Sequence, residues 1–215
     1  RDEGKTWLNA RGGSNVSERI IYDLAIDPDR PSTLYAASAA GVFKTTDGGA
    51  SWKKTPLGDK IYLAVEIDPS NPATVYASAD EQEDETSVAV FDPDKRTNPR
   101  RRIASQAMVE ISRVFKSLDG GDNWQNISAG LGRDVFVNDI IIDRRATSTI
   151  YAVAEDSEGL YKTTNGGKDW TEIDNFSGSV FVAAVDPQKS IIYAGMRGFS
   201  MDAFVTKLNP SGTDG

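Results

Sequence analysis

The chain has 215 residues, 39% of them hydrophobic, with 24 Lys and Arg against 32 Asp and Glu for a formal charge of −8, and it contains neither Cys nor His. Without Cys there are no disulfides, thiolate nucleophiles or cysteine zinc sites, and without His the usual general base is missing, so any catalysis must run on carboxylates, Tyr, Lys or Arg. The excess of acid argues against generic nucleic-acid binding, and no apolar run approaches the roughly 18 residues of a membrane span.

In chain order, the first feature is a short pattern at Asp2, Gly4 and Trp7, which returns in full as Thr45 to Trp52, Ser117 to Trp124 and Thr163 to Trp170. The shared form is Ser/Thr-x-Asp/Asn-x-Gly-x-x-Trp. The chain opens inside the shortened copy, so its natural beginning is expected to lie upstream. In the full copies Thr45, Ser117 and Thr163 lead, and Asp47, Asp119 and Asn165 offer a side-chain oxygen to backbone N–H groups just downstream. Gly49, Gly121 and Gly167 supply the positive φ of a tight hairpin. Trp52, Trp124 and Trp170 then carry a large ring into the following strand, where it is expected to pack in a core. On that reading Trp124→Ala costs about 3–5 kcal/mol, and Gly121→Ala is also destabilising.

Between these copies the remaining strands follow one order. Ile20 to Asp27, Ile61 to Asp68, Val135 to Asp143 and Phe181 to Asp186 read as first strands, three of them closed by Asp-Pro. Proline ends pairing there and favours a turn. Thr33 to Ala36, Thr74 to Ala77, Thr149 to Ala152 and Ile191 to Ala194 are second strands, each with Tyr-Ala. Gly41 to Lys44, Arg113 to Lys116 and Gly159 to Lys162 are third strands running into the repeated turn, and fourth strands begin at Trp52, Trp124 and Trp170. Short strands at even spacing predict an all-β fold. Between successive tryptophans the steps are 45, 72 and 46 residues, so the middle step carries an insertion of about 27 residues on a unit of ordinary blade length.

The repeated turn resembles the Asp-box, or BNR repeat, of sialidases, xyloglucan-active glycoside hydrolases, sortilin-type receptors and photosystem II assembly propellers. The resemblance covers most of the chain. It implies an all-β, single-domain β-propeller of four-stranded antiparallel blades, with the box on the turn between the third and fourth strands. The last unit departs from the pattern: Asp202 to Thr213 resembles the SBBP bacterial propeller repeat instead, and the chain stops before a fourth strand. Two arrangements are open. In one, the strand after Trp7 pairs with that at Phe204 to Lys207 and closes a ring of four blades. In the other, the chain is a piece of a larger propeller, its partners being further blades or domains of a longer parent chain.

Three groups of residues are candidates for function. The insertion, about 80–110 in the second blade, runs from acidic to basic and ends in Arg100, Arg101 and Arg102, which suit a carboxylate or phosphate of a partner. Its plainer alternative is a solvated loop. Four residues upstream of each closing Asp, one column holds Asp23, Ala64, Asp139 and Val182. Innermost strands line a propeller's channel, so Asp23 and Asp139 are candidates for the two carboxylates of glycoside hydrolysis, or else polar residues of the channel wall. The box carboxylates sit on separate turns and are not expected to share a metal, and no cofactor is expected. The leading expectation is therefore a non-catalytic binding or scaffolding propeller of a secreted or cell-surface bacterial protein, engaging a protein or glycan, located extracellularly, at the cell surface or in the periplasm. The alternatives are a glycoside hydrolase of the Asp-box kind, for which no Phe/Tyr-Arg-Ile-Pro sequence is present, and an assembly factor, for which the basic patch reduces to the three arginines.

Overall fold

The computed structural model describes residues 20–80, 114–132, 135–155, 159–173, 179–197 and 203–208. Asp2, Gly4 and Trp7, Arg100 to Arg102 with the insertion beyond Asp80, and the pairing of the strand after Trp7 all lie outside the described residues.

The strands are taken up strictly in chain order. β1 (Ile21–Ile26), β2 (Leu34–Ser38), β3 (Gly41–Thr45) and β4 (Lys53–Lys54) form the first antiparallel sheet, and β5 (Ile61–Ile67), β6 (Val75–Asp80), β7 (Val114–Ser117) and β8 (Gln125–Asn126) the second. The third holds β9 (Phe136–Ile142), β10 (Ile150–Glu155), β11 (Gly159–Thr163) and β12 (Thr171–Ile173), and the fourth β13 (Ser179–Val185), β14 (Ile192–Arg197) and β15 (Ala203–Leu208). There is no helix among the described residues, hence none long and apolar enough to cross a membrane.

The Asp that closes each first strand, followed by proline in three of the four, also builds the turn. Asp27 Oδ1 accepts the N–H groups of Asp29 and Arg30 at 2.9 and 3.0 Å, and Asp68, Asp143 and Asp186 make the same turn with Ser70, Arg145 and Gln188 at 2.8, 2.9 and 2.7 Å. These bonds satisfy the backbone where the ladder ends. Each first strand also carries a β-bulge, next to Asp23, Ala64, Asp139 and Val182 respectively. The bulge turns the side chains on either side of it independently of the pleat.

The core lies between sheets, not within them. Ala25, Tyr35, Ala37 and Val42 of the first blade meet Tyr62, Val65, Ile67 and Val75 of the second. Ala64, Tyr76 and Val114 of the second meet Val137, Ile140, Ile142 and Ile150 of the third. Tyr151, Val153 and Leu160 of the third meet Val180, Ala183, Ile192 and Ala194 of the fourth. Each large side chain so buried contributes about 1.5–3 kcal/mol, so every blade depends on its neighbours.

Both ends of this series are bare. Leu24 and Ile26 are 56% and 57% exposed, whereas their equivalents Val65, Ile67, Ile140 and Ile142 are buried against the preceding blade. At the other end Val182 is 58% and Tyr193 38% exposed, where Ala64, Tyr35, Tyr76 and Tyr151 are buried. Of the two arrangements open from sequence, the described residues form an open arc, as a piece of a propeller does.

Candidate functional site

The repeated turn is built by one hydrogen-bond scheme. Thr45 Oγ1 donates to Asp47 Oδ1 at 2.7 Å and accepts the N–H of Gly49 at 3.0 Å, while Asp47 Oδ1 accepts the N–H of Ser51 at 2.8 Å. Ser117 and Asp119 repeat this toward Gly121 and Asn123, and Thr163 and Asn165 toward Gly167 and Asp169. Both glycines of each turn have positive φ, 72° and 89° at Gly48 and Gly49, 71° and 92° at Gly120 and Gly121, and 71° and 91° at Gly166 and Gly167. Hydrogen bonds from the Ser51 hydroxyl and N–H, with that of Thr45, hold the Asp47 carboxyl down at about 2. Those from the Asn123 amide and N–H, with the Ser117 hydroxyl, do the same for Asp119. Each carboxylate is thus engaged inside its own turn, and no three acidic residues among those described are placed to hold a metal ion.

The tryptophans differ. Trp170 is only 5% exposed and donates its Nε1–H to the Ile127 carbonyl of the preceding blade at 2.7 Å. Trp124 is half-buried and donates to Gly121 in its own turn at 3.0 Å, and Trp52 is half-buried too. The cost expected of Trp124→Ala falls accordingly.

A second set of contacts joins one blade to the next turn. Tyr35 on β2 and Lys44 on β3, directly opposite in register, both donate to the Gly120 carbonyl at 2.7 Å, with the Lys44 ammonium 5.4 Å from the Tyr35 ring centroid. One blade on, Lys116 donates to the Gly166 carbonyl at 3.1 Å and lies 5.2 Å from the Tyr76 ring centroid. The ring face attracts the ammonium and the carbonyl completes its hydrogen bonding. The Tyr-Ala of second strands and the Lys ending third strands were visible in the sequence, but their partnership needs the strand register.

The inner strands bring Asp23 and Asp139 into one acidic wall and add Glu66, the one acidic residue of the strand Ile-Tyr-Leu-Ala-Val-Glu-Ile, which the column alignment passes over. Asp23 accepts the N–H of Leu24 at 2.7 Å through Oδ1 and that of Val65, on the next blade, at 2.9 Å through Oδ2. Asp139 Oδ1 accepts the N–H of Ile140 at 2.8 Å. Burial, reinforced by the charges of Asp23 and Asp139, raises the Glu66 carboxyl to about 7. Burial chiefly, with Asp23 adding to it, lifts Asp139 to about 6. At Ala64, where the column is apolar, the N–H of the following residue, Val65, goes to Asp23 of the preceding blade, and the Ser78 hydroxyl accepts the Ala64 N–H itself at 3.0 Å. The carboxylates therefore do at least one structural job: they satisfy N–H groups at the bulges.

Sequential antiparallel blades, each packed face to face on the next with the first strands innermost, define the class: the chain is a series of β-propeller blades. The GH74 enzyme of Niastella koreensis is similar at 18% identity and a TM-score of 0.63, over 90% of this chain and 29% of the enzyme. The GH74 xyloglucanase of Xanthomonas campestris is similar at 13% identity and a TM-score of 0.62, over 90% and 30%. YCF48, in a structure bound to D1 peptide, is similar at 15% identity and a TM-score of 0.56, over 89% of this chain and 52% of its own. The chain thus spans between a quarter and a half of the length of such propellers. No protein-family model matches the sequence, and no curated protein matches it either.

Proposed function

We propose that the chain is a non-catalytic binding or scaffolding propeller of the Asp-box type, with an SBBP-like last unit, in a secreted or cell-surface bacterial protein that engages a protein or glycan. The observation that carries this reading is the state of Asp23. Both of its oxygens accept backbone N–H groups, one of them across a blade junction, so one member of the candidate pair is occupied as a tie between β1 and β5. The similarity of the fold to peptide-bound YCF48 and to an extracellular domain from B. thetaiotaomicron supports the binding role and the location. Arg100 to Arg102 and the 80–110 loop remain the proposed contact region. The test is titration calorimetry with xyloglucan oligosaccharides and a peptide library, alongside a reducing-sugar assay. Binding without sugar release is the expected result. Release that disappears in Asp139→Asn overturns it.

A second reading, glycoside hydrolysis, is favoured by one observation. Glu66 and Asp139, on the neighbouring inner strands β5 and β9, are held toward the protonated form, as a general acid must be. The same sugar-release assay decides between them.

A further inference from the structure

We propose that Asn165-Gly166 is a modification site of the third blade: opening of its turn lets the Asn165 carboxamide deamidate, and the carboxylate so formed opposes reclosing because Asp169 faces it. The three full copies of the turn share a backbone scheme and differ in which partner carries the acid. In the first, the Ser51 hydroxyl donates to Asp47 Oδ2 at 2.5 Å, and in the second the Asn123 amide donates to Asp119 Oδ2 at 2.6 Å. In the third the roles are exchanged: Asn165 Nδ2 donates and Asp169 Oδ2 accepts, at 2.9 Å. The first two turns therefore suit an acid at the third position of the pattern, and the last suits an amide.

Asparagine before glycine is the context most open to deamidation, because no Cβ shields the glycine nitrogen from the carboxamide carbon. The Gly166 nitrogen gives its proton to solvent base and bonds Asn165 Cγ, and the Cγ–Nδ2 bond breaks with ammonia as the leaving group. The cyclic imide then takes up one water at either carbonyl, giving aspartate or, with the main chain rerouted through Cγ, isoaspartate. One water enters, one ammonia leaves, and nothing is oxidised or reduced. The junction itself imposes the hazardous glycine. Gly166 sits at φ 71°, and a Cβ there would lie 3.0 Å from Nζ of Lys116, the lysine that holds its carbonyl. Asp47 and Asp119 stand before glycines too, but hydrogen bonds keep both ionised, with carboxyls at about 2, and a carboxylate offers no comparable leaving group.

While the turn is closed, both reacting groups are engaged. Gly166 is buried and its N–H donates to the Ser148 carbonyl at 2.9 Å, which keeps the nitrogen from losing its proton. Asn165 Oδ1 accepts the Thr163 hydroxyl and the N–H groups of Lys168 and Asp169 at 2.8, 3.0 and 3.1 Å, which together with the bond to Asp169 Oδ2 fixes the carboxamide. Reaction therefore waits for local opening. Afterwards positions 165 and 169 both carry negative charge where a hydrogen bond stood, and like charges in contact disfavour the closed turn. Isoaspartate adds a methylene to the main chain as well. The step runs one way, so openings of this turn accumulate as modified protein.

Mass spectrometry of the tryptic peptide Thr163–Lys168 during incubation at pH 8 tests the reaction, through the mass gained when an amide becomes an acid. Conversion should proceed in the folded protein and run at least about tenfold faster in the urea-unfolded chain. Equal rates in the two media, or no conversion in the folded protein, overturns the proposal. The consequence is read from variants at these two exposed positions. Asn165→Asp should melt about 2–4 °C below the parent at pH 7, and the deficit should shrink in about 1 M salt. Adding Asp169→Asn rebuilds the pairing seen between Asp119 and Asn123 and should return the melting temperature to that of the parent. A single variant as stable as the parent, a deficit indifferent to salt, or a double variant no better than the single one overturns the proposal equally.

Discussion

Replacing Glu66 by Gln should flatten the dependence of stability on pH between about 5 and 8. The carboxyl rises from 4.5 to about 7 in the folded chain because burial and the charges of Asp23 and Asp139 disfavour its ionised form. The folded state therefore prefers the protonated group. Its contribution is complete below 4.5 and is lost as pH rises through about 7. A displacement of that size is worth at most about 3.5 kcal/mol at about 1.4 kcal/mol per unit, and half-burial with solvent screening brings the expected value to about 1.5–3 kcal/mol. Urea unfolding of parent and Glu66→Gln at pH 5, 6, 7 and 8 reads the effect as a double difference. General repulsion in this acidic chain cancels, since it acts on both proteins. The parent should lose stability across the interval and the variant should lose about 1.5–3 kcal/mol less. Parallel curves would mean that Glu66 titrates as an exposed carboxyl, and the reasoning about the acidic wall would fail.

Trp170→Ala should destabilise by about 3–5 kcal/mol, against about 1–3 for Trp124→Ala, because only the former ring is fully buried and bonded across a junction; equal melting temperatures for the two would refute the difference. Gly121→Ala should cost about 1–3 kcal/mol, since the residue sits at φ 92° and its new Cβ would lie 3.3 Å from the Tyr35 ring; an unchanged urea midpoint is the opposing result. Asp119→Asn should melt near the parent at pH 7, as Asn165 already fills the equivalent place. Because the parent's carboxyl is lowered from 3.8 to about 2, it supports folding above 3.8 and that support fades as pH falls through 2. Acid unfolding followed by circular dichroism should therefore be shallower in the variant over that interval.

The strands were legible because each signal is local. Alternating apolar residues, Tyr-Ala in the second strands and the Gly pair of each turn fix elements within about ten residues of themselves, and the observed strands fall on the expected runs with end shifts of up to three positions, the largest at the ends of the second strands. What was not legible depends on residues far apart in sequence. Glu66 joins Asp23 and Asp139 only because three inner strands lie side by side. Lys44 finds the Gly120 carbonyl across 76 residues. Trp124 and Trp170 occupy identical places in the repeat, yet Trp170 bonds the Ile127 and Ala129 carbonyls of the preceding blade while the Trp124 ring bonds Gly121 of its own turn. Pattern gives the type of a side chain at a junction and leaves its degree of enclosure to the neighbour.

The grip of Tyr35 and Lys44 on Gly120 is made to a peptide oxygen, not to a side chain. A joint of that kind asks for a glycine, whose positive φ presents the carbonyl and which leaves room for the lysine, and it reads no other side chain of the loop. Units built this way are interchangeable parts. A blade with the same Gly-Gly turn would fit the Tyr and Lys of its neighbour whatever the rest of its loop, as the turns at Gly120 and Gly166 do here.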